Sequence, residues 1–230
     1  MSLQEKVLDL LFPPKCPYCE KILDAPRAPA CPGCQARLPW LEGKAGERTI
    51  DFASGCYSPL SYGALTRDAI HRYKFSRVRA LGKPFAVLMA QCLSERLPGG
   101  ADYITWAPLS RRRLRERGFN QAELLGREVG RLLAIPAGPA LEKVRDTRPQ
   151  SELDEESARR ANARGAYAVL PGTDLTARRV VLVDDVVTSG ATLSECAALL
   201  RQAGAERVFC LTLARARGNE TGAAKKGENC

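Results

Sequence analysis

The chain has 230 residues, and its 45% hydrophobic content predicts a folded globular protein rather than a disordered one. No apolar run approaches the ~20 residues that a membrane span needs, and residues 1–16 lack the uninterrupted apolar core of a signal peptide. The net charge of +9 comes from two segments, 67–83 with six basic residues and one acidic residue, and 111–117 with five arginines and one glutamate. Charge concentrated in this way suggests contact with phosphates or nucleic acid, with a solvated helix face as the alternative.

The hydrophobic pattern predicts helices and strands that alternate along most of the chain. Residues 146–165 are polar throughout, and we expect a long loop there with helical portions. Helices are expected at 3–12, at 61–93 with a break near Gly82-Lys83-Pro84, at 120–135 and at 193–204, and strands at 102–108, 166–170, 179–185 and 207–215.

Strands that alternate with helices favour an α/β fold with a mostly parallel sheet flanked by helices. We expect three parts in the chain. Residues 1–44 form an N-terminal helix and a four-cysteine module, residues 45–217 form the α/β domain, and residues 218–230 form a disordered tail.

The nine cysteines cannot all pair with one another, because their number is odd. With no export signal, reduced thiols in the cytoplasm are the better interpretation, some of them bound to metal. Cys16 and Cys19 form one C-x-x-C pair, Cys31 and Cys34 form another, and two such loops complete a tetrahedral set of thiolates around a structural zinc ion. Redox-active or merely buried thiols and an iron–sulfur cluster are the alternatives. The other cysteines show no ligand spacing and are expected to be core or surface thiols: Cys56, Cys92, Cys196, Cys210 and Cys230.

The segment 180–192, VVLVDDVVTSGAT, places four apolar residues directly before Asp184 and Asp185. Two adjacent carboxylates at the end of a buried strand repel each other and are costly to desolvate, so a ligand that contacts them is expected. A turn of small residues follows, before a helix expected to begin near Leu193, and such a turn presents N–H groups to an anion. The turn consists of Thr188, Ser189, Gly190, Ala191 and Thr192.

A sugar phosphate suits both halves of this segment. The turn would hold its phosphate, while the carboxylates accept hydrogen bonds from ribose hydroxyls, with Mg²⁺ bound directly or through water. The sequence contains neither the phosphate-binding motif of P-loop NTPases nor the glycine motif of dinucleotide-binding folds. A strand–turn–helix with an incidental acidic pair is the alternative.

This segment resembles the phosphoribosyl-pyrophosphate (PRPP) motif of type I phosphoribosyltransferases. Together with the four cysteines, AIHRYKF, APLSRRRLRERGFNQAELLG and TRPQSEL, it makes the chain from Leu8 to about Arg215 similar to the ComF family of competence-associated proteins. The resemblance implies that Asp184 and Asp185 bind ribose hydroxyls, that 188–192 bind the 5′-phosphate, and that 146–165 lie where the family has its catalytic loop. It also implies a pyrophosphate loop formed by Ser110, Arg111 and Arg112.

The remaining basic residues could contact nucleic acid instead, with an exposed basic helix start as the alternative. Tyr73 and Phe75 lie within the first basic segment and could stack on bases, although they are equally consistent with core positions. The candidates for this contact are Arg113, Arg115, Arg117, Arg72 and Lys74.

Two departures from the superfamily narrow the function. Thr188 stands where hypoxanthine-type purine salvage enzymes have an acidic general base, and Met1-Ser2 provide no N-terminal cysteine nucleophile of a glutamine amidotransferase. Catalytic residues stay unassigned.

The first hypothesis is a cytoplasmic ComF-like protein of DNA uptake that binds PRPP-like ribose phosphates and single-stranded DNA. Without an ATPase motif, it would depend on a ComF-type ATPase or helicase. The others are an active, Mg²⁺-dependent phosphoribosyltransferase with an unidentified acceptor, and a non-catalytic metabolic or regulatory relative.

Overall fold

The structure, a computed structural model, describes residues 13–25, 28–75, 79–146 and 163–216. The helix predicted at 3–12, most of the polar segment 146–165 and the tail 218–230 lie outside the described residues. Short 3-10 turns occur at Gly43–Gly46 and Arg79–Leu81. The strands are β1 (Gly55–Tyr57), β2 (Leu60–Ser61), β3 (Tyr103–Trp106), β4 (Leu141–Lys143), β5 (Tyr167–Val169), β6 (Arg179–Val187) and β7 (Arg207–Arg215). The helices are α1 (Pro32–Gln35), α2 (Ala64–Phe75), α3 (Gly82–Arg96), α4 (Arg111–Arg117), α5 (Gln121–Leu133) and α6 (Ala191–Gln202).

The main sheet is parallel and follows the order β1-β7-β6-β3, with β2 also paired to β7. Its two central strands, β6 and β7, are apolar along most of their length, because helices cover both faces of such a sheet. β4 and β5 form a separate antiparallel pair. The predicted α/β fold with a mostly parallel sheet is therefore confirmed.

Successive residues of β6 pack into two different hydrophobic layers. Val181 and Val183 belong to the layer that includes α3 and α5, whereas Val180 and Leu182 belong to the layer that includes α6. This alternation follows from the pleat of a strand, which points neighbouring side chains to opposite faces. All four side chains are fully buried, so the first half of β6 is enclosed between the two layers.

The four-cysteine segment packs against the same core. The Tyr18 ring meets the Phe85 ring of α3 edge-on at 6.1 Å, and Cys16 and Cys34 are buried in the layer that includes α3 and α5. The boundary at residue 44 stays a prediction, since the two parts share one hydrophobic cluster. Among the residues that the structure describes, no helix is both long and apolar enough to cross a membrane.

Some local predictions need correction. The break in the helical segment 61–93 lies earlier than predicted, because α2 ends at Phe75 and Gly82-Lys83-Pro84 form the first turn of α3. Proline is tolerated there, since the N–H groups of a first turn have no acceptor within the helix. The short strands β1, β2 and β4 were not predicted. Cys56, Cys92, Cys196 and Cys210 are buried thiols, and Cys230 lies outside the described residues.

Candidate functional site

The four predicted zinc ligands converge. The Sγ atoms of Cys16, Cys19, Cys31 and Cys34 all lie within 4.8 Å of one another. The Cys31 N–H donates to Cys16 Sγ at 3.5 Å, which joins the two loops. Burial and the neighbouring thiols raise the pKa of Cys34, and a cation at the centre would favour the thiolate form. Four sulfur donors in this arrangement fit zinc and leave no open coordination position, so the site suits a structural role.

The zinc loops are held against α2 as well as α3. Arg72 of α2 donates a hydrogen bond to the Pro17 carbonyl and lies 4.0 Å from the Glu20 carboxylate. Arg72 is therefore engaged within the protein, and its contact with nucleic acid stays a prediction.

The acidic pair lies where β6 extends beyond its neighbour β3. β3 ends at Trp106, opposite Val183, whereas β6 stays paired with β7 through Val187. The backbone of Asp184 and Asp185 is thus not paired with β3, and the Asp185 N–H donates to Asp184 Oδ1 at 2.8 Å. The pair lies inside β6 rather than at its last residue, but still at the carboxyl edge, where ligands of open α/β sheets bind.

Positive groups from separate elements surround the acidic pair. Lys74 Nζ of α2 lies 2.8 Å from Asp185 Oδ2. Burial, and then the charge of Asp185, raise the pKa of Asp184 to about 7, against the opposing charges of Lys74 and Lys143. Burial, and then the charge of Arg113, lower the pKa of Lys143 to about 8. The edge therefore combines a desolvated carboxyl group, Asp184, with a desolvated amine, Lys143, which is common at functional sites.

The small-residue turn begins α6 two residues earlier than predicted. Gly190 is the N-cap, with φ of 84°, and α6 begins at Ala191. The left-handed conformation of Gly190 favours glycine, and a Cβ there would also force Cδ1 of Ile50 to move. Ser189 Oγ accepts a hydrogen bond from the Ala191 N–H at 3.4 Å, and Thr192 shares a side-chain hydrogen bond with Tyr167 of β5.

The predicted pyrophosphate loop joins β3 to α4. Ser110 is buried and caps α4, because its Oγ accepts from the Arg113 N–H at 3.4 Å. Arg111 and Arg112 are exposed in the first turn, and Arg112 Nε lies 3.9 Å from Glu116. The cap fixes the start of α4 at the end of the loop that follows β3, and the two arginines stay at the surface.

The basic residues assigned to nucleic acid have different surroundings. Arg115 is exposed, whereas the Arg117 guanidinium lies 5.0 Å from the Phe75 ring centroid and is partly buried. Arg113 is also partly buried, and its Nη2 atom is buried without a hydrogen-bond partner in the part of the chain that is described. Lys74 is paired with Asp185, and its contact with nucleic acid also stays a prediction.

The two aromatic candidates differ in the same way. Tyr73 is fully buried and its hydroxyl donates to the Gln121 carbonyl at 3.0 Å, so it cannot stack on a base. Phe75 is 56% exposed and keeps that possibility.

Several site residues were missed in the sequence. Lys143 ends β4 and donates to the Tyr167 hydroxyl at 3.3 Å, but a single lysine before a polar segment carries no recognisable signal. Asn120 could have been identified from the sequence as a helix cap, because it follows a glycine of the kind that ends helices. In the structure Gly118 ends α4 in the left-handed region and Asn120 caps α5. Its Nδ2 also donates to the Ala107 carbonyl at 3.1 Å, which ties α5 to the loop after β3.

Family models and known proteins match this chain as follows. Residues 125–228 match the phosphoribosyl transferase domain and residues 7–49 match the double zinc ribbon domain. Competence protein F of Haemophilus influenzae is 34% identical over 156 residues, which are 64% of this chain and 66% of that protein, slightly less than two thirds of its length. DNA utilization protein YhgH of Escherichia coli K12 is 31% identical over 204 residues, 85% of this chain and 82% of that protein. Purine phosphoribosyltransferase from Pyrococcus horikoshii aligns over 64% of this chain and 93% of its own, with 17% identity and a TM-score of 0.37.

The parallel sheet, the four clustered cysteines and the two domain matches define a phosphoribosyltransferase-fold protein with an N-terminal zinc-ribbon module. The match to YhgH covers most of both proteins. The chain belongs to the ComF family, as its motifs indicated.

Proposed function

We propose that this chain binds a PRPP-like ribose phosphate at the carboxyl end of β6 and handles single-stranded DNA in the cytoplasm during DNA uptake. The observation that carries the proposal is the position of the acidic pair beside the turn of 188–192 on one sheet edge. Its relatives support the biological setting, since one is named a competence protein and another a DNA utilization protein.

Each half of the site has its own role in this proposal. Asp184 and Asp185 accept hydrogen bonds from ribose hydroxyls, and the turn before α6 binds the 5′-phosphate through backbone N–H groups and hydroxyls. Arg113 supports a second phosphate position. A buried guanidinium nitrogen without a partner is costly, and a phosphate oxygen would satisfy it. Arg111 and Arg112 extend that position toward the surface.

Calorimetry with PRPP tests the ligand. The double variant Asp184→Asn/Asp185→Asn is expected to bind at least about tenfold more weakly, because hydrogen bonds to charged groups contribute about 1.5–3 kcal/mol each. Asp68→Asn is the matched control, since Asp68 is an exposed carboxylate on α2. Equal affinity of the double variant and the wild type would refute the assignment.

The expected cofactors fit the chain unequally. Zinc fits the four thiolates, where it holds the two loops together and supplies folding free energy. Mg²⁺ was expected beside the acidic pair, but the Lys74 ammonium group already pairs with the Asp185 carboxylate. Its positive charge would repel a divalent cation at this position. These residues therefore do not fit a metal bound directly by the pair.

A second function is catalysis of phosphoribosyl transfer to an unidentified acceptor. It is favoured by the intact pair and by the partly buried Lys143 next to it, which could contact the leaving pyrophosphate. A screen for pyrophosphate release from PRPP with candidate acceptors tests this function. If no acceptor gives release while PRPP still binds, the non-catalytic role is supported. In either case strand movement would need an ATPase or helicase partner.

A further inference from the structure

The ion pair between Lys74 and Asp185 is an unusual feature for a site that should accept a sugar phosphate. The two side chains are only 22% and 10% exposed, and Nζ lies 2.8 Å from Oδ2. In such a sheltered place removal of one partner is costly, because the other charge is left desolvated. The pair is therefore a fixed part of the site rather than a surface contact.

α2 holds Lys74 in this position through its buried face. Ala69, Ile70 and Tyr73 are buried in the core, and the Tyr73 hydroxyl donates to the Gln121 carbonyl at 3.0 Å. Lys74 follows directly after Tyr73, and Arg72 on the other side of Tyr73 contacts the Pro17 carbonyl. The helix that places the Lys74 ammonium group next to β6 is therefore held in position by both Tyr73 and Arg72. This anchoring lowers the entropy cost of keeping the long side chain in one geometry.

Other elements add positive charge around the acids. Arg117 of α4 interacts with both Asp185 and Asp184, and Lys143 of β4 acts on Asp184. A divalent cation bound by the pair would have to displace Lys74 and would also be exposed to the charges of Arg117 and Lys143. Because charges of like sign repel strongly in a desolvated site, the protein itself already supplies the counter-charge.

We propose that Lys74 is a built-in counter-ion that takes the place of a divalent cation at Asp184 and Asp185, so that the ribose phosphate binds without Mg²⁺. This inference rests on the proposed function, and it makes the site different in kind from one that needs a metal–PRPP complex. The ribose hydroxyls then bind to carboxylate oxygens not used by Lys74, while Arg113 and the turn before α6 offset the phosphate charge.

The first experiment measures PRPP affinity by calorimetry with and without Mg²⁺. The buffer is depleted of divalent ions by a resin before the protein is added, because a soluble chelator would compete for the structural zinc. In the wild type, affinity is expected to change by less than about threefold. In Lys74→Met, affinity without Mg²⁺ is expected to fall at least about tenfold and to be partly restored by Mg²⁺, whereas Lys74→Arg retains the wild-type behaviour.

Three outcomes separate the two proposals. PRPP binding by the wild type only with Mg²⁺ overturns the role of Lys74 and leaves the proposed function standing. Absence of PRPP binding under both conditions overturns both. Equal loss in Lys74→Met with and without Mg²⁺ shows that Lys74 is needed only for the shape of the site, and also overturns the inference.

A second measurement needs no ligand. Paramagnetic resonance of Mn²⁺ reports whether the free protein binds a divalent ion at the pair. The wild type and Lys44→Met, which removes an exposed lysine, are expected to bind none there, while Lys74→Met is expected to gain a site that Asp185→Asn abolishes. A Mn²⁺ site in the wild type that is lost in Asp185→Asn contradicts the inference, whether or not PRPP binds.

Discussion

Arg72 and Lys74 lie two positions apart on α2 and contact two different parts of the molecule. Arg72 donates to the Pro17 carbonyl in the zinc loops, and Lys74 pairs with Asp185 at the end of β6. Residues two apart on a helix do not share a face, so α2 extends between the zinc module and the acidic pair. The zinc module thereby supports the helix that supplies Lys74.

This relationship predicts that Arg72→Met weakens the attachment of the zinc loops. Loss of a charged donor to a partly buried carbonyl is expected to lower the free energy of unfolding by about 1 kcal/mol and to speed zinc release to a chelator. Chemical denaturation and a colorimetric zinc assay measure the two effects. Arg67→Met is the control, because Arg67 lies on the same helix but contacts only the exposed Asp68 among its described partners. Equal zinc release from both variants would contradict the attachment.

We predict one zinc ion per chain, bound by the four clustered cysteines. Cys16→Ser should lose the metal and unfold more easily, because a structural zinc contributes directly to folding. Cys56→Ala removes a buried thiol that is not part of the four-cysteine cluster, so this variant should keep the metal. Elemental analysis of the wild type and both variants measures the metal content, and iron in place of zinc would show that the assignment is wrong.

Gly190 provides a test of the turn itself. Gly190→Ala is expected to destabilise the protein by about 1–3 kcal/mol, since the backbone is in the left-handed region and an added Cβ would force the end of the Ile50 side chain to move. Gly172→Ala is the matched control, because its φ is 78° but nothing lies within 4 Å of an added Cβ. The difference between the two variants in urea denaturation isolates the clash with Ile50. If both lose the same stability, the clash is not real.

The raised pKa of Asp184 predicts a pH-dependent effect of Asp184→Asn. The folded protein binds a proton at Asp184 up to about pH 7, while the unfolded chain releases it near 3.8, so Asp184 costs increasing stability as the pH rises between these values. Asp184→Asn should therefore stabilise the protein by about 4 kcal/mol at pH 8 relative to its effect at pH 4. Denaturation of both proteins across this range is the measurement, and a constant difference would refute it. A gain in stability together with weaker PRPP binding is typical of a functional carboxylate.

Binding of single-stranded DNA should depend on the exposed arginines of α4. Neutralising Arg111, Arg112 and Arg115 is expected to reduce the slope of log affinity against log salt by about 2, since each phosphate contact on a single strand contributes about 0.7. Arg127→Gln/Arg131→Gln is the control, because these arginines lie on α5, outside the basic segment of α4, and pair closely with glutamates, at 2.9 and 2.7 Å. Fluorescence titrations over a range of salt give the slopes. Absence of any binding at low salt would remove the physical basis for a role in DNA handling.

The sequence alone determined the parts of this protein that depend on local pattern. Each C-x-x-C pair is a short contiguous pattern, and so are the apolar run before Asp184 and Asp185 and the small-residue turn. In the structure these patterns form the zinc loops, β6 and the start of α6. The long strands β6 and β7 were also predicted, because an apolar run with turn residues at its ends is informative by itself. Short strands such as β1 and β4 lack enough residues for a periodic signal, and they form only by pairing with neighbours.

Only the tertiary structure decided how the basic residues divide between the site and the surface. In the sequence Arg72, Lys74, Arg113, Arg115 and Arg117 look alike, since each is a cation in a basic segment. The fold pairs Lys74 with a carboxylate of β6, lays Arg117 against Phe75 and leaves Arg115 exposed. A charge has no preferred partner along the chain, because Coulomb interactions depend on distance and burial, and both are set by how α2, α4 and β6 pack together.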